Sequence, residues 1–184
     1  LESIEDGARQ PTPEVLANLR AEVLQLVRMV NDLHTLSMAD LGALPCEFVD
    51  GDASVVLLRA LQRMEERVRK AGLVLDAPKE PAPIPVHWDF GRIEQVLVNL
   101  VENSLRYTIA PGRLSVTWSL VQARVHLRVE DTPPGVAPAD LDQLFEPLFR
   151  ADRSRHRSAI DGGGSGLGLT ICKAIVLAHG GTIR

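Results

Sequence analysis

The stretch FGRIEQVLVNLVENSLRY, residues 90–107, constrains this chain more than any other, because it specifies a helix with two dissimilar sides. At about 100° per residue, Phe90, Ile93, Leu97, Val98, Leu100, Val101 and Leu105 gather on one side, and Arg92, Gln95, Asn99, Asn103 and Arg106 gather opposite. The apolar side demands a core. The polar side sets two amides one turn apart, with a guanidinium on the next turn. Amide oxygens ligate hard divalent cations, and an arginine beyond them holds phosphate oxygens. A solvated helix face has the same composition, so the helix alone leaves both readings open.

A chain of 184 residues, 45% hydrophobic and 24% charged, suits one medium domain or a small one with an appendage. Its net charge of -4 and pI of 5.7 give no footprint for general nucleic-acid binding or for an electrostatic membrane anchor. Cys46 and Cys172 match no metal-ligand spacing and suggest neither a disulfide framework nor a zinc site. With no apolar run of about eighteen residues, no direct membrane contact is expected of this stretch. Because it starts at Leu1 and stops at Arg184 where a strand begins, the expectation is a fragment of something longer.

Residues 1–9 are a short helical stub interrupted by Pro11 and Pro13, and Thr12 with Pro13 starts a new helix running to about residue 41. Leu16, Leu19, Val23, Leu26, Val30 and Leu33 follow heptad spacing, which predicts residues 1–42 to be a helical hairpin segment that pairs with a second copy as a homodimer. A single helix packed on its own domain is the alternative. Residues 43–184 then read as one α+β unit. Strands are predicted at 46–50, 73–76 and 86–88, and a helix capped by Asp52 at 53–71, with Asp89 capping the helix described first. Alternation in LSVTWSL and RVHLRV predicts two paired strands in an antiparallel sheet with helices on one face, a two-layer α/β sandwich. His126 falls on the wet face. A short helix near 140–145 and a last one near 166–179 complete the reading.

Gly162, Gly163, Gly164, Gly166 and Gly168 precede and enter that last helix, where glycine permits close approach and first-turn N–H groups favour anionic oxygens. A flexible loop also explains such a run. It lacks the Lys-Ser or Lys-Thr of a P-loop and the preceding strand of a dinucleotide fold. Arg150, Arg153, Arg155 and Arg157 lie in the approach to it and suit either a mobile lid or solvated charge. Asp131, at the end of a buried strand, suits an adenine amine or a turn.

In order, NLVENSLRY, DTPPGV, LFEPLFR and GGGSGLGL resemble the asparagine box, first glycine box, phenylalanine box and second glycine box of the histidine kinase, DNA gyrase, Hsp90 and MutL ATP-binding fold. The N-terminal helix is similar to the second half of a sensor histidine kinase dimerisation hairpin. The resemblance implies ATP and Mg²⁺ as ligands and a response-regulator receiver domain as partner. It implies Asn103 and Asn99 at the metal, and Asn99, Asn103 and Arg106 in catalysis. Arg106, Tyr107, Asp131 and Gly135 would meet the nucleotide, and Gly164, Gly166, Leu167 and Gly168 the phosphates. Phe145, Phe149, Arg150, Arg153 and Arg155 would form the lid. Two departures stand out. Pro133 and Pro134 replace the first glycine region, removing N–H donors. No His-Glu-Leu-Arg-Thr-Pro-like acceptor segment is present and His34 is in the wrong context, so this polypeptide is expected to bind ATP without phosphorylating itself.

Overall fold

A computed structural model describes residues 12–150 and 165–184. Helix α1 (Pro13–Asp40) starts where Thr12 Oγ1 accepts a hydrogen bond from the Val15 N–H, with proline in its first turn. It ends before Gly42, whose φ of +66° is costly for any residue with a Cβ. The heptad seam is open. Leu16, Val23, Leu26, Val30 and Leu33 are each more than half exposed, and Thr35 is the buried residue of this helix. The hairpin itself lies partly outside the described residues.

Strand β1 (Val49–Asp52) pairs antiparallel with β3 (Pro85–Trp88). It begins three residues later than its sequence suggests. The cause is Glu47, whose N–H leaves the ladder to donate to Asp89 Oδ2 at 2.9 Å. Asp52 ends β1 and caps α2 (Ala53–Lys70), its Oδ1 accepting from the N–H groups of Ser54 and Ile84. Gly51 is required beside it, because a Cβ there would stand 2.6 Å from the Phe90 ring.

Strands β2 (Leu73–Asp76), β4 (Gly112–Val121) and β5 (Arg124–Asp131) build a sheet of order β2-β4-β5, and helix α3 (Phe90–Tyr107) comes between β2 and β4 in the chain. The β4–β5 hairpin turns through Gln122 and Ala123, both at positive φ, and is antiparallel as its alternation predicts. The β2–β4 pair is parallel, a correction to the all-antiparallel expectation. With α3 lying between β2 and β4 in the chain, the connection is a crossover, which returns the chain in the same direction. A 3₁₀ helix at Pro138–Gln143 replaces the short helix expected at 140–145; its bonds, such as Asp140 N–H to Ala137 C=O, span three residues.

Two clusters of buried side chains flank α3. Ile93, Leu97 and Val101 pack with Leu57, Leu61 and Val68 of α2 and with Leu114, Val116 and Trp118 of β4. A deep polar contact there is satisfied: Trp118 Nε1 donates to Ser54 Oγ at 3.0 Å, and Ser54 donates to the Ala82 carbonyl. On the other side Val96 joins Leu167, Ile171, Cys172 and Ile175 of α4 (Gly168–Ala178), with Leu36 of α1 packed against them. Burying a Val or Ile side chain stabilises by about 1.5–3 kcal/mol, so this second cluster holds α4 firmly along α3. The helical wheel missed it, because Val96 lies between the two predicted sides.

Candidate functional site

The polar face of α3 is fixed at its start by Asp89. Its Oδ1 accepts from the Arg92 N–H at 2.9 Å and its Oδ2 from the Glu47 N–H, while its own N–H donates to His179 Nε2 at 3.1 Å. His179 in turn donates from Nδ1 to the Ile175 carbonyl, which joins the first turn of α3 to the end of α4. Burial opposes ionisation of Asp89, but the Arg92 and Glu47 N–H groups, with Arg92 and His179, outweigh it and hold the carboxyl below its ordinary range.

Two turns further on, Asn99 Nδ2 donates to the Gly168 carbonyl at 3.3 Å. This bond brings the asparagine helix and the second glycine stretch together. Helix α4 has no side-chain cap, so its first-turn N–H groups are available to an anion beside that face. The approach to α4 is also shaped. Gly166 adopts φ +73°, its carbonyl accepts from the Leu148 N–H, and a Cβ on it would stand 3.0 Å from Leu148 Cα. Ser165 Oγ accepts from the Leu167 N–H and donates to Asp32 Oδ2 of α1.

The remaining expected residues fall around this centre. Asn103 is half-buried one turn beyond Asn99, and Arg106 and Tyr107 are exposed at the end of α3. Asp131 stands exposed at the end of β5, not at the end of a buried strand. Alternation along β5, the edge of the sheet among the described residues, puts Asp131 on the face of Val125, Leu127 and Val129, but as the last residue of the strand it is exposed. Gly135 is exposed at φ +65°, and Pro133 and Pro134 precede it in solvent. Phe145 and Phe149 are half-buried and Arg150 is exposed, whereas Gly164, Arg153 and Arg155 lie outside the described residues. A cavity of about 730 Å³ lies elsewhere. It opens on a different face of α4, lined by Leu36, Phe48, Phe145, Thr170, Lys173 and Leu177 among others, and of the expected residues only Phe145 reaches it.

Residues 89–184 match the family of histidine kinase-, DNA gyrase B- and HSP90-like ATPases. The sequence is 44% identical over 183 residues to the signal transduction histidine-protein kinase BaeS of Escherichia coli, covering all of this chain and 38% of that protein. In structure it is similar to the histidine kinase AdeS of Acinetobacter baumannii, with a TM-score of 0.79 and 33% identity over 100% of this chain and 82% of that one. The chain belongs to the histidine kinase branch of this ATPase family. A crystal structure of full-length ShkA in complex with AMPPNP is also similar, with a TM-score of 0.74, 28% identity, and coverage of 94% of this chain and 36% of that chain. This histidine kinase chain spans 37–38% of the length of BaeS and of the kinase/phosphatase MprB of Mycolicibacterium vanbaalenii, to which it is 31% identical. Among the described residues no helix is long and apolar enough to cross a membrane.

The histidine kinase site fits a divalent cation through amide oxygens. Because Asn99 Nδ2 is engaged by the Gly168 carbonyl, Oδ1 is the atom left to face a hard cation. Among the described residues no group of three His, Cys, Asp or Glu side chains converges. Asn99 and Asn103 therefore offer neutral donors, which suit Mg²⁺ when phosphate oxygens share the ion and neutralise its charge. Sequence reasoning missed three contributors here. Asp32 and Ser165 lie far apart in the chain and no local pattern joins them. Cys172 reads as one more apolar position of α4, yet its Sγ donates to the Val96 carbonyl of α3.

Proposed function

We propose that this chain is the ATP-binding catalytic portion of a sensor histidine kinase, whose reaction transfers the γ-phosphoryl group of Mg-ATP to a histidine of a dimerisation hairpin. The Asn99 to Gly168 hydrogen bond carries this reading, because it sets two amide side chains beside an uncapped helix N-terminus. Phosphates would meet the N–H groups of α4, with Gly166 and Leu167 at its entrance and Gly164 before them. Asn103 and Asn99 would hold Mg²⁺, Arg106 and Tyr107 would meet the phosphates and nucleotide, and Asp131 with Gly135 would meet the adenine. Phe145, Phe149, Arg150, Arg153 and Arg155 would belong to the lid. With these placements catalysis is positioning and charge neutralisation.

The choice between kinase and ATPase rests on Asn99. An amide takes no proton near neutral pH, so this position offers no general base to activate water. The γ-phosphoryl group then waits for a histidine nitrogen, and a receiver-domain aspartate would take it from there. The open seam of α1, with Val30 64% exposed, supports a homodimer through that helix. The parent would be anchored in the inner membrane with this portion in the cytoplasm.

The test supplies a hairpin bearing an acceptor histidine together with γ-labelled ATP and Mg²⁺. Acid-labile label on the hairpin and little free phosphate are expected. Steady phosphate release without a hairpin would favour an ATPase switch. A partner-binding module with a decayed pocket is the second reading, motivated by the exposed Pro133 and Pro134, and absence of any nucleotide binding would favour it.

A further inference from the structure

Two hydrogen-bond donors at the entrance to α4 are already engaged. The Leu167 N–H donates to Ser165 Oγ at 3.3 Å, and the Ser165 hydroxyl donates its single hydrogen to Asp32 Oδ2 of α1 at 3.5 Å. The relay ends on a carboxylate carried by a different element. Phosphate oxygens accept hydrogen bonds and bear negative charge, so they need these same donors and are repelled by that carboxylate. Asp32 therefore opposes an anion at this entrance in two ways.

The seat of α1 on α4 is narrow. Leu36, one turn beyond Asp32, packs against the cluster of Val96, Leu167, Ile171 and Ile175, and Thr35 beside it is buried, while Val30 and Leu33 are more than half exposed. Residues 43–48, which join α1 to β1, are neither helix nor strand, so α1 can swing on them without breaking either. Burial disfavours the charge on Asp32, against the Ser165 hydrogen bond and Arg28, and release would return the carboxylate to water.

We infer that the Asp32 to Ser165 contact is an autoinhibitory latch: with α1 docked, its carboxylate engages the donors at the entrance to α4 and opposes nucleotide phosphates, and bound nucleotide releases it. The inference rests on the Mg-ATP reading above and adds regulation to that site. Such coupling is reciprocal, so whatever lifts α1 from α4 tightens nucleotide binding, and nucleotide loosens α1 by the same factor.

The test measures AMPPNP affinity with Mg²⁺ by calorimetry for the unaltered chain, Asp32→Ala and Asp32→Asn. Couplings between sites run from about 5- to 150-fold, so Asp32→Ala, which removes acceptor and charge together, is expected to bind about tenfold more tightly. Asp32→Asn keeps an acceptor oxygen for Ser165 without the charge and is expected to gain less. A contact that only shapes the entrance would weaken binding when lost, so equal or weaker binding by folded Asp32→Ala would overturn the inference. Should the alanine variant not fold, hydrogen exchange of the unaltered chain decides. Peptides of α1 are expected to exchange faster at saturating AMPPNP, because a helix stripped of packing frays, and unchanged or slower exchange would overturn it. Binding by Asp32→Ala but not by the unaltered chain would support the latch. Absence of binding in both would instead remove the Mg-ATP reading, and this inference with it.

Discussion

Asp32 of α1 accepts a hydrogen bond from Ser165, at the entrance to α4, across 3.5 Å. The contact ties α1 to the entrance of α4, and it carries a pH dependence. Burial raises the Asp32 pKa above its ordinary 3.8, against the Ser165 hydrogen bond and Arg28, with Glu102 acting in the same direction as burial. The folded chain therefore holds the proton more tightly than the unfolded chain, and stability falls as pH rises through the window above 3.8. Asp32→Asn is expected to raise Tm at pH 7 and to make little difference well below pH 3.8, where both side chains are neutral. Thermal unfolding followed by circular dichroism across pH reads this directly, and a lower Tm at pH 7 would count against it.

Asp89 has the opposite sign. Its carboxylate caps α3 and also accepts from Glu47, so its pKa is lowered in the folded state. Its contribution is fully present above the ordinary 3.8 and is lost as pH falls through the lower folded value. Asp89→Ala is expected to cost about 1–2 kcal/mol at neutral pH, the loss of one cap. Urea titrations at pH 7 and in acid should show this gap narrowing in acid.

How much of this was legible beforehand divides along one physical line. Thr12, Asp52 and Asp89 were readable as caps, and α3 as a helix, because capping and periodicity depend on neighbours in sequence. The β4–β5 hairpin followed from its alternation for the same reason. What depended on packing between distant residues was not readable. Val96 looked like a boundary position until α4 lay beside it, and the parallel β2–β4 pair needs the path of α3. The Asp32 to Ser165 and Asn99 to Gly168 contacts each join segments separated by more than sixty residues, and no pattern in the chain pairs them. Asp131 was legible as a strand end but not as an exposed one.

Gly166→Ala tests the shape of the entrance to α4. A Cβ would meet Leu148 Cα at 3.0 Å and force a side chain into φ +73°, where an L-residue costs roughly 1–2 kcal/mol. Loss of that stability, measured by urea unfolding, is expected together with weaker nucleotide binding. Full stability and full binding would show that the Leu148 to Gly166 bracket is dispensable.

Thiol chemistry separates the two cysteines. Cys172 is fully buried and burial pushes its pKa up to about 12, so almost none of it is thiolate at pH 8, whereas Cys46 is only partly buried. Iodoacetamide at pH 8 should therefore modify Cys46 first, with Cys172 reacting on unfolding. Mass spectrometry of the digested chain distinguishes the sites, and early labelling of Cys172 would contradict the packing of α4 on α3.

The nucleotide site proposed here lies where Asn99 and Gly168 join the faces of α3 and α4. Calorimetric titration of AMPPNP with Mg²⁺ into the unaltered chain, Asn103→Ala and Asp131→Asn tests it most directly. Saturable binding that weakens about tenfold in each variant, roughly 1.4 kcal/mol, is the predicted result. No heat of binding from the unaltered chain, or equal affinity in all three, would contradict it.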